Sequence, residues 1–229
     1  MSLSVDYDSM KLKNNLYFYP DNGMGDCNTY VITGRPGLLV DPGLLPCLPA
    51  LLREMARDGI QAEDIGIIAN THLHFDHCWA DDALRRICGA KVVLHPLQRQ
   101  FYAVAYLETS RYFGMEPPDF SEDECLAGSR LRAGDMELEL LPAPGHSPDS
   151  IGYYQPAEKI LICGDVLFRG NIGRPDLPGG DAAELRRSIE RLAGLEIDYL
   201  LPGHMDIVTG TAAVKDNFSF IQDNILGHL

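Results

Sequence analysis

Positive charge is scarce in this sequence. Lys and Arg number 19 against 33 Asp and Glu, a formal net charge of −14. A phosphate backbone or an anionic membrane recruits clustered Lys/Arg, so this balance argues against nucleic acid and membrane as partners. No apolar run approaches the ~20 residues of a membrane span. Met1 to Lys13 lacks the apolar stretch of a secretory signal. None of the six cysteines (Cys27, Cys47, Cys78, Cys88, Cys125, Cys163) forms a CxxC pair. Without an export signal they read as reduced thiols of a cytoplasmic protein. There is no internal repeat, low-complexity tract or linker. The 229 residues fit one domain large enough to bury its core without disulfides. The expected partner is a small-molecule substrate, and oligomeric state is not legible.

What is present is punctuated β-structure interleaved with helices. Asn15–Tyr19, Asn28–Thr33 and Gly37–Val40 are short, rich in β-formers and separated by turn residues. Leu44 to Asp58 has helical periodicity, with Leu48, Leu51, Leu52 and Met55 on one stripe. Ile65–Ala69 reads as a buried strand, 81–88 as a helix and Lys91–Leu94 as a strand. Leu97–Cys125 is rich in aromatic residues and contains Pro117-Pro118, which predicts one helix plus an irregular lid or substrate wall. The second half predicts strands at 136–141, 151–154, 160–163 and 199–201, with helices at 182–193 and 212–226. Two β-rich halves with helices between them predict an α+β fold, an αββα sandwich of two facing mixed sheets with helices outside.

The chemistry concentrates at Thr71-His72-Leu73-His74-Phe75-Asp76-His77, directly after a predicted strand. Alternation along an extended chain puts His72 and His74 on one side, where both imidazoles can meet one ion. A turn into the next helix can carry Asp76 and His77 to a neighbouring position. Imidazole and carboxylate are ligands that zinc accepts at catalytic sites, as do iron and manganese. His146, Asp165 and His204 stand near predicted strand ends, each directly after a glycine, which leaves room at the sheet rim. Five of the seven histidines thus belong to sites of one type.

These motifs, with Asn28-Thr29-Tyr30-Val31-Ile32, Val40-Asp41-Pro42-Gly43 and Gly203-His204, resemble the metallo-β-lactamase-fold hydrolase superfamily across almost the whole chain. The resemblance implies one metal on His72, His74 and His146, a second on Asp76, His77 and His204, and Asp165 bridging them. It implies two divalent ions, zinc first and iron or manganese as alternatives. A metal-bridging hydroxide would attack the substrate, with Asp76 and Asp165 as the catalytic carboxylates and Asp76 orienting that hydroxide.

Within the superfamily, Gly164-Asp165-Val166-Leu167-Phe168 and Gly173-Arg174-Pro175-Asp176-Leu177-Pro178-Gly179-Gly180-Asp181 look like glyoxalase II-type thioesterases (hydroxyacylglutathione hydrolases) and their short relatives. Little sequence follows His204, so the helical domain with which the larger enzymes bind glutathione is expected to be absent. The Gly-Arg segment also resembles persulfide dioxygenases, in which the equivalents of His72, His146 and Asp165 would hold one iron. The HxHxDH segment and the aromatic insert resemble acyl-homoserine lactonases. A metal-binding protein without catalysis is the reading from a third class. An antibiotic-degrading lactamase is disfavoured by the missing export signal, and an RNA-processing nuclease by the charge.

Arg174, Tyr106 and Tyr112 are candidate substrate contacts. Arg174 suits a planar anion but has Asp176 and Asp181 as competing partners. Asp149 reads as an exposed turn residue, and Asp41 as either a turn or a brace for a metal ligand. Cys78 and Cys163, close to candidate ligands in sequence, read as small buried hydrophobes.

Overall fold

The computed structural model describes residues 9–23, 25–117 and 120–229. Met1 to Asp8, most of the segment read as lacking an export signal, and Pro118 of the insert lie outside the described residues.

Alternation explains the layers. Along Gly37–Val40, Leu38 and Val40 enter one apolar cluster and Leu39 another. Along Ile160–Gly164, Ile160 and Ile162 join that same first cluster, while Leu161 joins a third. Successive side chains of a strand point to opposite faces, so both strands are covered on both sides. The shared cluster fills the space between two sheets, and the other two lie beneath helices.

The first sheet runs in the order β1 (Met10–Lys11), β2 (Leu16–Tyr19), β3 (Thr29–Ile32), β4 (Gly37–Val40), β5 (Ile65–Ala69), β6 (Lys91–Leu94), β7 (Glu124–Cys125). It is antiparallel from β1 to β4 and parallel from β4 to β7. Helix α1 (Leu48–Arg57) covers it with Leu48, Leu51 and Met55. The short α2 (Phe75–Cys78) and α3 (Asp81–Cys88) follow β5, and Leu84 of α3 joins the same outer cluster.

The second sheet contains β8 (Arg130–Ala133), β9 (Met136–Pro142), β10 (Ile151–Gln155) and β11 (Ile160–Gly164). After a small hairpin of β12 (Leu167–Phe168) and β13 (Asn171–Ile172), β14 (Tyr199–Pro202) and β15 (Val208–Thr209) complete it. The order is β15-β14-β11-β10-β9-β8, with β11 and β14 parallel and the other pairs antiparallel. Helices α6 (Ala182–Ala193) and α7 (Thr211–Asn224) cover its outer face through Leu185, Ile189, Phe218 and Ile221. In chain order the helices α4 (Pro96–Tyr102) and α5 (Thr109–Tyr112) lie between the two sheets. The result is the expected αββα sandwich of mixed sheets.

The insert is one helical run followed by an irregular stretch. It is helical from Pro96 to Tyr112, with a π-helical stretch at Ala103–Glu108 joining α4 to α5. Tyr102, Tyr106 and Phe120 pack on one another with ring centroids 5.3 to 5.8 Å apart. Its end returns as β7 to the sheet edge, so the excursion is anchored at both ends. Among the described residues all six cysteines are free, and no helix is long and apolar enough to cross a membrane.

Strands β4, β5, β9, β11 and β14 deliver their following loops to one rim. The sheets are tied together there: Asn28 Nδ2 donates to the Pro202 and Met205 carbonyls at 3.0 and 2.9 Å, and Tyr30 Oη donates to Pro202 O at 2.6 Å. Tyr153 Oη from β10 donates to Asn70 O, just ahead of the histidine segment, at 2.7 Å.

Candidate metal centre

The loop after β5 bends at Thr71 and His72, is extended at His74 and then turns into α2. The loop carries His72 and His74, and the first turn of α2 carries Asp76 and His77. The loops after β9, β11 and β14 bring His146, Asp165 and His204 to meet them. All seven sequence-predicted residues converge. Ligand atoms of His72, His74 and His146 lie within 4.8 Å of one another, as do those of Asp76, His77 and His204, and those of His72, His77 and Asp165. The last triplet takes one histidine from each of the others, so Asp165 stands between the two groups.

The spacings suit cations. Ligands at about 2.0–2.1 Å from a tetrahedral ion lie roughly 3.4 Å apart. His146 Nε2 is 3.0 Å from His74 Nδ1 and 3.6 Å from Asp165 Oδ2. His204 Nε2 is 3.3 Å from both Asp76 Oδ2 and Asp165 Oδ2, and His77 Nε2 is 3.5 Å from Asp165 Oδ1. Among the described residues, Nε2 of His72, Nε2 of His77 and Oδ1 of Asp165 are buried without a hydrogen-bond partner. Buried polar atoms are rarely left so; cations bound at the two groups would satisfy all three.

Surrounding groups set the tautomers. His77 Nδ1 is 3.0 Å from Asp41 Oδ2 and His146 Nδ1 is 2.9 Å from Arg174 O, so each Nδ1–H donates and each Nε2 lone pair faces inward. Thr71 Oγ1 donates to Asp41 Oδ2 at 2.7 Å and lies 3.1 Å from His72 Nδ1, from which it accepts. Asp41 Oδ1 also accepts the Thr71 N–H at 2.7 Å. One buried carboxylate therefore orients a histidine of each group, His77 directly and His72 through Thr71. Asp41 is a brace, not a plain turn, although its φ of 57° gives the backbone a sharp bend. Replacing it with Ala is expected to weaken metal binding about 10- to 100-fold at both groups. Competition with a chromogenic chelator reads both sites, and a loss confined to one group would contradict the Thr71 relay.

Asp149 corrects the sequence reading. It is fully buried, and its carboxylate accepts the Leu73 N–H at 2.9 Å and the Ser147 hydroxyl. Burial pushes its pKa up to about 7 against those hydrogen bonds. It pins the residue between His72 and His74, a contact 76 positions away in sequence that local pattern does not reveal. Cys78 and Cys163 behave as read: both are buried, and their Sγ atoms point at backbone carbonyls.

The two histidine groups differ in proton affinity. Burial holds His72 well below the ordinary imidazole range, lowers His74 to about 3 and lowers His146. Burial also opposes charge on His204, but Asp165 and Asp76 outweigh it and raise the pKa to about 10. His77 is likewise raised despite burial, by the carboxylates of Asp165, Asp41 and Asp76. At neutral pH the first group has free lone pairs, whereas the second must release protons to take a cation. Metal affinity at the second group should therefore rise with pH, while that of the first stays nearly flat. Dialysis from pH 8 down to 5.5 is expected to strip the second group first, as read by metal content; loss in the opposite order would refute this assignment.

The candidate substrate residues separate. Arg174 borders the cavity above the histidines, its Nε and Nη2 donating to both oxygens of Asp176 at 2.9 and 2.8 Å. Tyr112 is exposed and lies close enough to Arg174 to help raise the guanidinium pKa, after Asp176. Tyr106 does not reach the cavity: it is 1% exposed and packs with Leu73, Leu94 and Ala105. The aromatic residue of the insert that does line it is Phe113, which the sequence does not distinguish from its neighbours.

A family model described as the Metallo-beta-lactamase superfamily matches residues 22–204. A probable metallo-hydrolase of Methanocaldococcus jannaschii is 36% identical over 194 residues, covering 81% of this chain and 91% of that one. The hydroxyacylglutathione hydrolase GloC of Haemophilus influenzae is 32% identical over 151 residues, 64% of this chain and 71% of its own. Among solved structures, the BLEG-1 B3 metallo-beta-lactamase superposes with a TM-score of 0.75 at 30% identity, covering 92% of this chain and 99% of that one. A protein solved in a di-iron-bound form, TTHA1623, gives 0.69 at 32% identity, covering 87% and 94%.

Proposed function

The chain belongs to the metallo-beta-lactamase superfamily, and on that premise we propose that it hydrolyses a thioester or ester-like bond at a centre of two divalent cations. The carrying observation is the position of Asp165, whose two oxygens face His77 on one side and His146 and His204 on the other. His72, His74 and His146 would hold one ion, and Asp76, His77 and His204 the other. Zinc is the first choice for this imidazole and carboxylate set, with iron or manganese accepted. The relative solved in a di-iron-bound form supports a pair of ions in this fold. The likeness to a hydroxyacylglutathione hydrolase supports the thioester.

Cations held there would supply an acidified water and a Lewis acid for the carbonyl oxygen. The protein's own groups do the rest. Asp76 lines the cavity with Oδ2 3.3 Å from His204 Nε2, so its carboxylate can hold the attacking water in line and take its proton. Burial opposes its charge, but His77 and His204 keep its pKa below the ordinary value, so it is ionised at neutral pH. In the overall reaction the carbonyl–sulfur bond breaks, a carbonyl–oxygen bond forms, and the thiol leaves with a proton.

Metal analysis of protein purified without added metal tests this reading. Two zincs per chain with thioesterase activity are expected; one iron with oxygen uptake on a persulfide would replace the hydrolase by a dioxygenase. A second reading, opening of a β-lactam ring, is favoured by the likeness to a B3 metallo-beta-lactamase, and turnover of a chromogenic cephalosporin above that of thioesters would select it.

A further inference from the structure

The cavity above the histidines has a volume of about 500 Å³, within the range of small-molecule sites. Its walls are apolar: Phe75, Phe113, Phe168, Ile172, Leu177 and Met205 line it. Phe75 and Phe113 meet edge to face at 5.7 Å, and Phe168 stands against the His204 ring at 6.1 Å. Phe113 and Met205, both close to half exposed, place apolar surface at the mouth. Exposed apolar surface beside a concave polar centre marks a binding site for an apolar group.

Charge points the same way. Among the described residues lining the cavity, Arg174 is the one with a permanent positive charge, and both Asp176 oxygens already occupy its guanidinium. A glutathione moiety carries two carboxylates and an ammonium, and the one guanidinium among these walls already has Nε and Nη2 paired with Asp176.

Resting on the hydrolase reading above, we infer that the substrate class is a thioester or ester with an uncharged apolar acyl chain, seated between Phe113 and Phe168, and not a glutathione conjugate. Water enters the acyl carbon, the carbon–sulfur bond breaks, and the products are the fatty carboxylic acid and the free thiol.

The test uses the metal-loaded protein with acetyl, butyryl, hexanoyl and octanoyl thioesters of N-acetylcysteamine, and the matched acyl thioesters of glutathione. From acetyl to hexanoyl, kcat/KM is expected to rise about two- to fourfold per methylene, fourfold being the value for complete burial. Phe168→Ala and Phe113→Ala should flatten the series. Phe113 is half exposed, so its removal leaves the core intact. A flat or falling series, or matched glutathione thioesters turned over more than tenfold better, overturns the inference and leaves hydrolysis standing. If no thioester is hydrolysed, the proposed function fails instead. Calorimetry of the metal-free protein with S-alkyl thioethers of N-acetylcysteamine, which lack the scissile carbonyl, then decides the inference separately. Affinity rising with chain length supports it, and weak binding independent of length overturns it.

Discussion

If the proposed two-cation hydrolase is right, replacing Asp165 with Ala is expected to leave one bound cation in place of two and to lower hydrolytic kcat by about a thousandfold, the upper end for losing an electrostatic element of a preorganised site. Asp165 is 7% exposed and lies within 3.3 to 3.6 Å of His77, His146 and His204. No other carboxylate among the described residues lies this close to histidines of both groups; Asp76 faces only His77 and His204. Metal analysis reads the stoichiometry, and near-normal kcat with one ion would end the two-metal account. A metal-free readout separates charge from ligation. Asp165 raises the pKa of His204, whereas burial lowers it. In the metal-free variant the His204 pKa should therefore fall from about 10, as followed by NMR titration. An unmoved value would show that Asp165 does not carry that interaction.

The ligand set was legible because its pattern is local and unusual. Three histidines and an aspartate lie within six residues after an apolar strand, and three later sites each pair a ligand with a preceding glycine near a strand end. The long strands and helices were legible for the same reason, since each is long enough to show its period. The hairpin Leu167–Phe168 with Asn171–Ile172 and the edge strands Met10–Lys11 and Val208–Thr209 are two residues each, too short for alternation to register. Arg130–Ala133 does alternate exposed arginines with buried Leu131 and Ala133 and is missing from the expected strands. The insert was least legible. Its aromatic residues split between inward packing at Tyr106 and the cavity wall at Phe113, a division set by the phase of the helix and its π-helical stretch. Asp149 failed for another reason: its partners are a backbone N–H from a distant loop and the Ser147 hydroxyl, and only the fold brings that loop to it.

Gly203→Ala is expected to remove the cation of the second group without any change of charge or ligand. The glycine before His204 was read as a source of room at the rim, and the structure shows how little room there is. A Cβ there would strike Asp165 Oδ1 far inside van der Waals contact and lie 2.7 Å from His77 Cε1, so it would press on the residue between the two groups and on a ligand of the second. The backbone has nowhere to retreat. Gly203 N donates to Gly164 O at 2.9 Å, and its carbonyl accepts the Asn28 N–H at 2.7 Å, holding the residue to both sheets. The requirement is for space, not for a left-handed backbone, because Gly203 is absent from the positive-φ glycines. Overpacking of this kind costs about 1–3 kcal/mol, so urea unfolding should show that loss in the metal-free protein. Ligand displacement should also lower second-site metal affinity by about 10- to 100-fold or more, the scale seen when ligand orientation is disturbed. Gly227→Ala, where a Cβ meets nothing within 4 Å, is the matched control and should stay within about 0.5 kcal/mol. If Gly203→Ala kept both cations and full stability, Asp165 and His77 would have to be free to move aside. The centre would then be a loose collection of ligands, and the burial and hydrogen bonds that orient them would not be what holds the metal pair.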